Sequence, residues 1–173
     1  MPVAIIMGPS GCGKTTVASY LNLLTNCVYI EGDDYHPPEN VAKMSVGIPL
    51  TDEDRQPWLT SLHCAINKAR HSSTFVVATC SALKRQYRTI LAQPPNSDVL
   101  FVFLNAPKDV LKDRVSKRKN HFLSPCLVEN QLDILEPPNS DEENVLLIDA
   151  TLHPKIISTQ ILSRLGLSGS YKL

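Results

Sequence analysis

The 173-residue sequence has no net charge, with 17 Lys and Arg set against 17 Asp and Glu. A general nucleic-acid-binding surface leaves a basic excess, so this balance argues for no nucleic-acid partner. No apolar run approaches the roughly 20 residues of a membrane-spanning helix, and no signal-peptide pattern precedes the first apolar segment. The expectation is a cytoplasmic protein with no membrane partner. The five cysteines, at 12, 27, 64, 80 and 126, contain no C-x-x-C pair, which disfavours a zinc site and fits reduced thiols. There is no internal repeat and no low-complexity linker. With 43% hydrophobic and 20% charged residues, the chain suits one domain spanning residues 1–173 with a real core.

Near the start stands the run Gly8-Pro9-Ser10-Gly11-Cys12-Gly13-Lys14-Thr15. It follows the apolar segment 3–7, which reads as a buried strand. Val17, Ala18, Leu21 and Leu24 come next at helical spacing. A strand, a glycine-rich turn and a helix are the context in which G-x-x-x-x-G-K-[ST] binds phosphate. Backbone N–H groups from Gly8 through Ser10, Gly11, Cys12 and Gly13 to Thr16 can curl around phosphate oxygens, helped by the positive end of the helix. Lys14 can reach the β- and γ-phosphates and the Thr15 hydroxyl can ligate Mg²⁺. The expected ligand is a nucleoside triphosphate. Cys12 lies in this amide-rich loop, a setting that can lower a thiol pKa, although a small tolerated loop residue is the simpler reading.

Strand and helix patterns then alternate. Strands are expected at 27–30, 74–79, 99–104 and 145–148, and helices at 38–46, from Pro57 onwards, and at 82–91, 107–119 and 154–165. This order implies an α/β fold: a three-layer α/β/α kinase with a five-stranded parallel sheet. Two excursions interrupt it, an acceptor-binding segment at about 35–56 and a lid at about 120–138. Both fall at the carboxyl ends of the strands, where open sheets of this kind bind ligands. Asp33, ending the second strand, is placed to orient or deprotonate an acceptor hydroxyl and to touch Mg²⁺ through water. Arg114 and Arg118, four apart on one helix face, can neutralise the transferring phosphate or stack on the base. No N-K-x-D motif is present, which disfavours a switch GTPase.

Four blocks carry a resemblance. The stretch 32–44 reads G-D-x-x-H-P followed by N-x-x-K-M, and 47–59 reads G-x-P-L-x-D-x-D-R-x-P-W-L. To these are added Cys80-Ser81-Ala82-Leu83-Lys84 with Tyr87-Arg88, and His121-Phe122 with Gln131 and Leu135-Glu136-Pro137. Together with the phosphate loop they resemble the gluconokinase family. The resemblance implies phosphorylation of the 6-hydroxyl of D-gluconate by ATP with Mg²⁺, the fold of the shikimate and nucleoside-monophosphate kinases, and a homodimer. It implies catalytic roles for Lys14, Asp33 and Arg118. Its acceptor-binding residues would be Asp33, His36, Lys43, Asp54, Arg55, Ser81, Lys84, Arg88, His121 and Gln131, with Arg55 or Arg88 gripping the carboxylate. Trp58 reads as core. Asn120, Leu123, Leu132 and Thr89 depart from the usual family residues. Two alternatives stand beside this reading: another small acceptor on the same fold, or a nucleotide-binding module without catalysis. The Cys80-Ser81-Ala82 turn, in place of three glycines, disfavours shikimate.

Overall fold

Every residue of β1 (Val3–Met7) is buried, because the strand has neighbours on both sides and helices on both faces. In the computed structural model, which describes residues 2–72, 74–95, 98–117, 125–139, 142 and 144–167, β1 is the centre of a parallel sheet ordered β2-β3-β1-β4-β5. Its partners are β2 (Val28–Ile30), β3 (Val76–Thr79), β4 (Leu100–Asn105) and β5 (Val145–Asp149). Side chains of a strand alternate between faces. Val3, Ile5 and Met7 accordingly join a core with Phe101, Phe103 and the helices α3 (Asp52–Arg70) and α4 (Arg85–Leu91). Ala4 and Ile6 join a second core with Val102, Leu104 and the helices α1 (Lys14–Thr25), α5 (Lys108–Ser116) and α7 (Pro154–Arg164). Three layers result, as the alternation of elements implies. No described helix is long and apolar enough to cross a membrane.

The first excursion contains a 3-10 turn, Gly32–Tyr35, and the helix α2 (Pro38–Ser45). The second holds α6 (Pro125–Ile134), which packs on α5. One helix starts earlier than expected. Pro57 reads as a first-turn residue, yet α3 begins at Asp52 and carries Pro57 inside it. The start is set by a capping box: Asp54 N donates to Thr51 Oγ1 at 3.2 Å, and Thr51 N donates to Asp54 Oδ2 at 2.9 Å. Asp52, Glu53 and Asp54 then lie in the first turn, where the helix dipole favours negative charge.

Gly32 fixes the join between β2 and the excursion. A Cβ built there would lie 2.0 Å from the Thr79 carbonyl oxygen, so only glycine allows this approach. Its N–H donates to Thr79 Oγ1 at 3.0 Å, and its carbonyl accepts from Trp58 Nε1 at 2.7 Å. Asp33 is thereby held beside the end of β3.

Candidate active site

The phosphate loop leaves β1 through Gly8, whose φ is 136°, and turns again at Gly11 (88°) and Gly13 (103°). These left-handed conformations suit glycine and gather the intervening amides into one concavity. Cys12 is not presented to that concavity. It is buried beneath the loop, where a Cβ on Gly8 would meet its Sγ at 2.9 Å. The Lys14 ammonium lies across the loop, donating to Gly8 O at 3.0 Å and Pro9 O at 3.2 Å. Gly8 N donates to Ser81 O at 3.1 Å, tying the loop to the end of β3. Gln131 Oε1, from α6, accepts from Ser10 N at 2.7 Å. This residue of α6 therefore occupies a backbone donor of the phosphate loop.

Beside the loop, a hollow of about 390 Å³ is bordered by Gly11, Gly13, Thr16, Arg114, Lys117, Leu152 and Ile157. Arg114 is half buried there, with Nη2 donating to Ala150 O at 3.2 Å and Nη1 near the Gly11 and Cys12 carbonyls at 3.5 and 3.4 Å. An apolar wall with one guanidinium suits a nucleotide base and its first phosphate.

On the other side, a cleft of about 40 Å³ brings together Ser10, Lys14, Asp33, His36, Met44, Leu50, Arg55, Trp58, Ser81 and Gln131. Elements distant in sequence converge: the phosphate loop, the 3-10 turn, α3, the end of β3 and α6. Arg55 is only 6% exposed. Its Nη1 donates to the Tyr87 hydroxyl at 3.0 Å and its guanidinium lies 5.4 Å from the Tyr87 ring centre. Among the described residues it has no carboxylate partner. A nearly buried cation without a counter-charge is costly unless a ligand supplies one. Cys80, directly beneath, is inert: burial above all pushes its thiol up to about 12.

His36 stacks on Trp58, with ring centres 4.0 Å apart. Burial first, and the Arg55 charge second, push its imidazole down to about 4. It is therefore neutral at pH 7, and its 3.9 Å approach to Asp33 Oδ1 is not an ion pair. Asn40 Nδ2 donates to Asp54 O at 2.8 Å and lies 3.4 Å from His36 Nδ1. Nδ1 is thus the acceptor, which leaves the proton on Nε2, facing Asp33. Trp58 is core, as its helical position implies, and is also a wall of the cleft. A histidine that must stay neutral when folded makes stability fall with acid, because the unfolded chain binds the extra proton. Stability should decline as pH drops from about 6.5 to about 4, by on the order of 3 kcal/mol over the window. Carboxylates with lowered pKa values act below that range; Asp52, held down to about 2 by Lys84 and Tyr87, is one. Urea melts across pH 4 to 7 check this, with His36→Gln expected to flatten the slope.

Four expected acceptor ligands have partners elsewhere. Arg88 is 2% exposed and forms a two-pronged pair with Glu142, Nε to Oε2 and Nη2 to Oε1, both 2.7 Å. Its Nη1 donates to Ala82 O and Glu136 O, each at 3.1 Å. It pins the chain after α6 to the end of β3 and borders a separate hollow at the starts of β4 and β5. Lys43 spans both oxygens of Asp54 at 2.7 and 2.8 Å, and Lys84 those of Asp52 at 2.8 and 2.9 Å. Lys43, Asp54 and Lys84 join α2 and α4 to the start of α3 and do not line the cleft. Arg118 and His121 lie outside the described residues.

Glu31 was not among the residues singled out from the sequence. Its carboxylate accepts from Thr15 Oγ1 at 3.0 Å and from the hydroxyls of Tyr29 and Thr79. Its position, two residues before Asp33 at the end of a strand, is the signal that could have found it. Thr15 and Glu31, with Asp33 two residues further along, carry hard oxygens of the kind that could hold Mg²⁺.

The AAA domain profile matches residues 5–124. A probable gluconokinase of Xenopus tropicalis is 40% identical, over 92% of this chain and 90% of its own length. A gluconokinase of Gluconobacter oxydans is also 40% identical, over 91% and 88%. The crystal structure of a gluconokinase from Sinorhizobium meliloti superposes with a TM-score of 0.82 at 38% identity, covering 95% of this chain and 91% of that one. The phosphate loop, the parallel sheet and this level of identity agree: the chain is a P-loop kinase and belongs to the gluconokinase family.

Proposed function

We propose that this chain transfers the γ-phosphate of ATP to the 6-hydroxyl of D-gluconate, giving 6-phosphogluconate and ADP. The observation that carries the reading is Arg55, a nearly buried guanidinium without a carboxylate partner among the described residues, in one cleft with Lys14 and Asp33. An acceptor with a carboxylate at one end and a hydroxyl at the other completes that arrangement. Its carboxylate pairs with Arg55, and its distal hydroxyl meets Asp33.

In this mechanism the loop amides and Lys14 hold the β- and γ-phosphates, and Arg114 borders the base. Asp33 accepts the proton of the acceptor hydroxyl as its oxygen bonds to the γ-phosphorus and the bond to the β-phosphate oxygen breaks. Neutral His36 presents its Nε2 proton toward Asp33, 3.9 Å away. Mg²⁺, when bound, neutralises phosphate charge, and Thr15 would hold it with Glu31 and Asp33 nearby. Gln131 leaves Ser10 N as phosphate arrives, which also enlarges a cleft too small for a six-carbon acid. The resemblance assigns Arg118 to phosphate charge and His121 to closure over the acceptor. The same reading includes one domain with its acceptor segment at 35–56 and lid at 120–138, a homodimer, and a cytoplasmic setting.

A coupled ADP-release assay across gluconate, shikimate and AMP tests this reading. Gluconate should be strongly preferred, and equal use of the three would overturn the proposal. Arg55→Ala should raise KM for gluconate by roughly 100-fold and leave KM for ATP in place, as expected when a desolvated charge pair loses one partner.

A further inference from the structure

Arg55 is anchored by an unusual partner. A buried arginine is ordinarily held by a carboxylate, which also cancels its charge. Here the anchor is the neutral Tyr87 hydroxyl, 3.0 Å from Nη1. That hydroxyl in turn donates to Asp52 Oδ1, and both Asp52 oxygens accept from Lys84 at 2.8 and 2.9 Å. Gln86 Nε2 donates to Asp52 Oδ2 at 2.9 Å. The carboxylate can only accept, so the Tyr87 proton points to Asp52 and the oxygen lone pairs point to Arg55.

We propose that Tyr87, oriented by Asp52, is a positioning residue that sets specificity for an anionic acceptor: it fixes the Arg55 guanidinium at the cleft wall without neutralising it. This rests on the reading that Arg55 receives the acceptor carboxylate. The negative charge of Asp52 stays one residue removed, at the protein surface, where Lys84 balances it. The Tyr87 ring lies 5.4 Å from the guanidinium and the hydroxyl restricts its rotation, so the guanidinium stays at the cleft wall. A carboxylate in the place of Tyr87 would hold Arg55 equally well and abolish its preference for an acid.

The test compares D-gluconate with D-glucitol, in which a hydroxymethyl group replaces the carboxylate. The readout is the ratio of kcat/KM values for the two. Tyr87→Phe keeps the ring and removes the anchor. It should lower the ratio roughly tenfold through KM for gluconate, with KM for ATP unmoved, as loss of a hydrogen bond to a charged group implies. Asp52→Asn, at a more exposed position, should move the ratio the same way by less. In an Arg55→Ala background, Tyr87→Phe should change the ratio no further. If Arg55→Ala collapses the ratio and Tyr87→Phe lowers only Tm, the positioning role is wrong while the acceptor reading stands. If Arg55→Ala leaves the ratio intact, the acceptor reading itself falls and this inference with it.

Discussion

Asp33→Asn should lower kcat about a thousandfold while the protein stays folded and both substrates still bind. The amide has the size and most of the hydrogen-bonding capacity of the carboxylate, so what it loses is proton acceptance and charge. General-base catalysis is worth about 10²–10⁴ in rate. The Asp33 side chain is 44% exposed and makes no part of either core, so Tm should stay within a few degrees of the parent. Its backbone position is set by the close approach of Gly32 to the Thr79 carbonyl. ADP release at saturating gluconate and ATP gives the answer. Near-normal kcat would remove Asp33 from the proton transfer and move attention to the neighbouring Asp34.

Lys14→Ala should be as severe, through the other substrate. Among the described residues the ammonium donates to the Gly8 and Pro9 carbonyls of its own loop, two part-buried contacts of modest net worth. In the reaction it would meet the oxygens on which charge builds up, inside a site shielded from water. Removing one such donor costs about 10²–10³ in rate, and a full positive charge lies at the upper end. We expect kcat/KM for ATP to fall roughly a thousandfold with Tm almost unchanged. A fall in Tm matching the fall in activity would instead mean that Lys14 holds the loop together.

Much of the architecture could be read along the chain, because each unit announces itself locally. The apolar run at β1 leads straight into the glycines and Lys14, and the acidic turn follows directly on β2. Partnerships across the fold could not be read this way. Arg55 and Arg88 are equivalent candidates in sequence, and only the position of Glu142, 54 residues from Arg88, separates them. Lys43 and Lys84 pair with Asp54 and Asp52 across 11 and 32 residues, partnerships that no local pattern reveals. The start of α3 was legible but masked. Thr51-Asp52-Glu53-Asp54 is itself a capping pattern, and the proline at 57 drew the boundary to itself. Glu31 escaped because its meaning depends on Thr15 and Thr79 arriving from two other elements.

The contact between Gly32 and the Thr79 carbonyl bears on how this enzyme could be redesigned. Asp33 is located by main chain pressed against main chain, a registration that side-chain exchange elsewhere does not disturb. Met44 and Leu50, by contrast, reach the cleft from a segment held to α3 by the surface pair of Lys43 and Asp54 and by Asn40. Acceptors longer or shorter than a six-carbon acid could therefore be accommodated by recutting residues 38–50. The chemistry would stay where it is while the substrate's tail is given a different room.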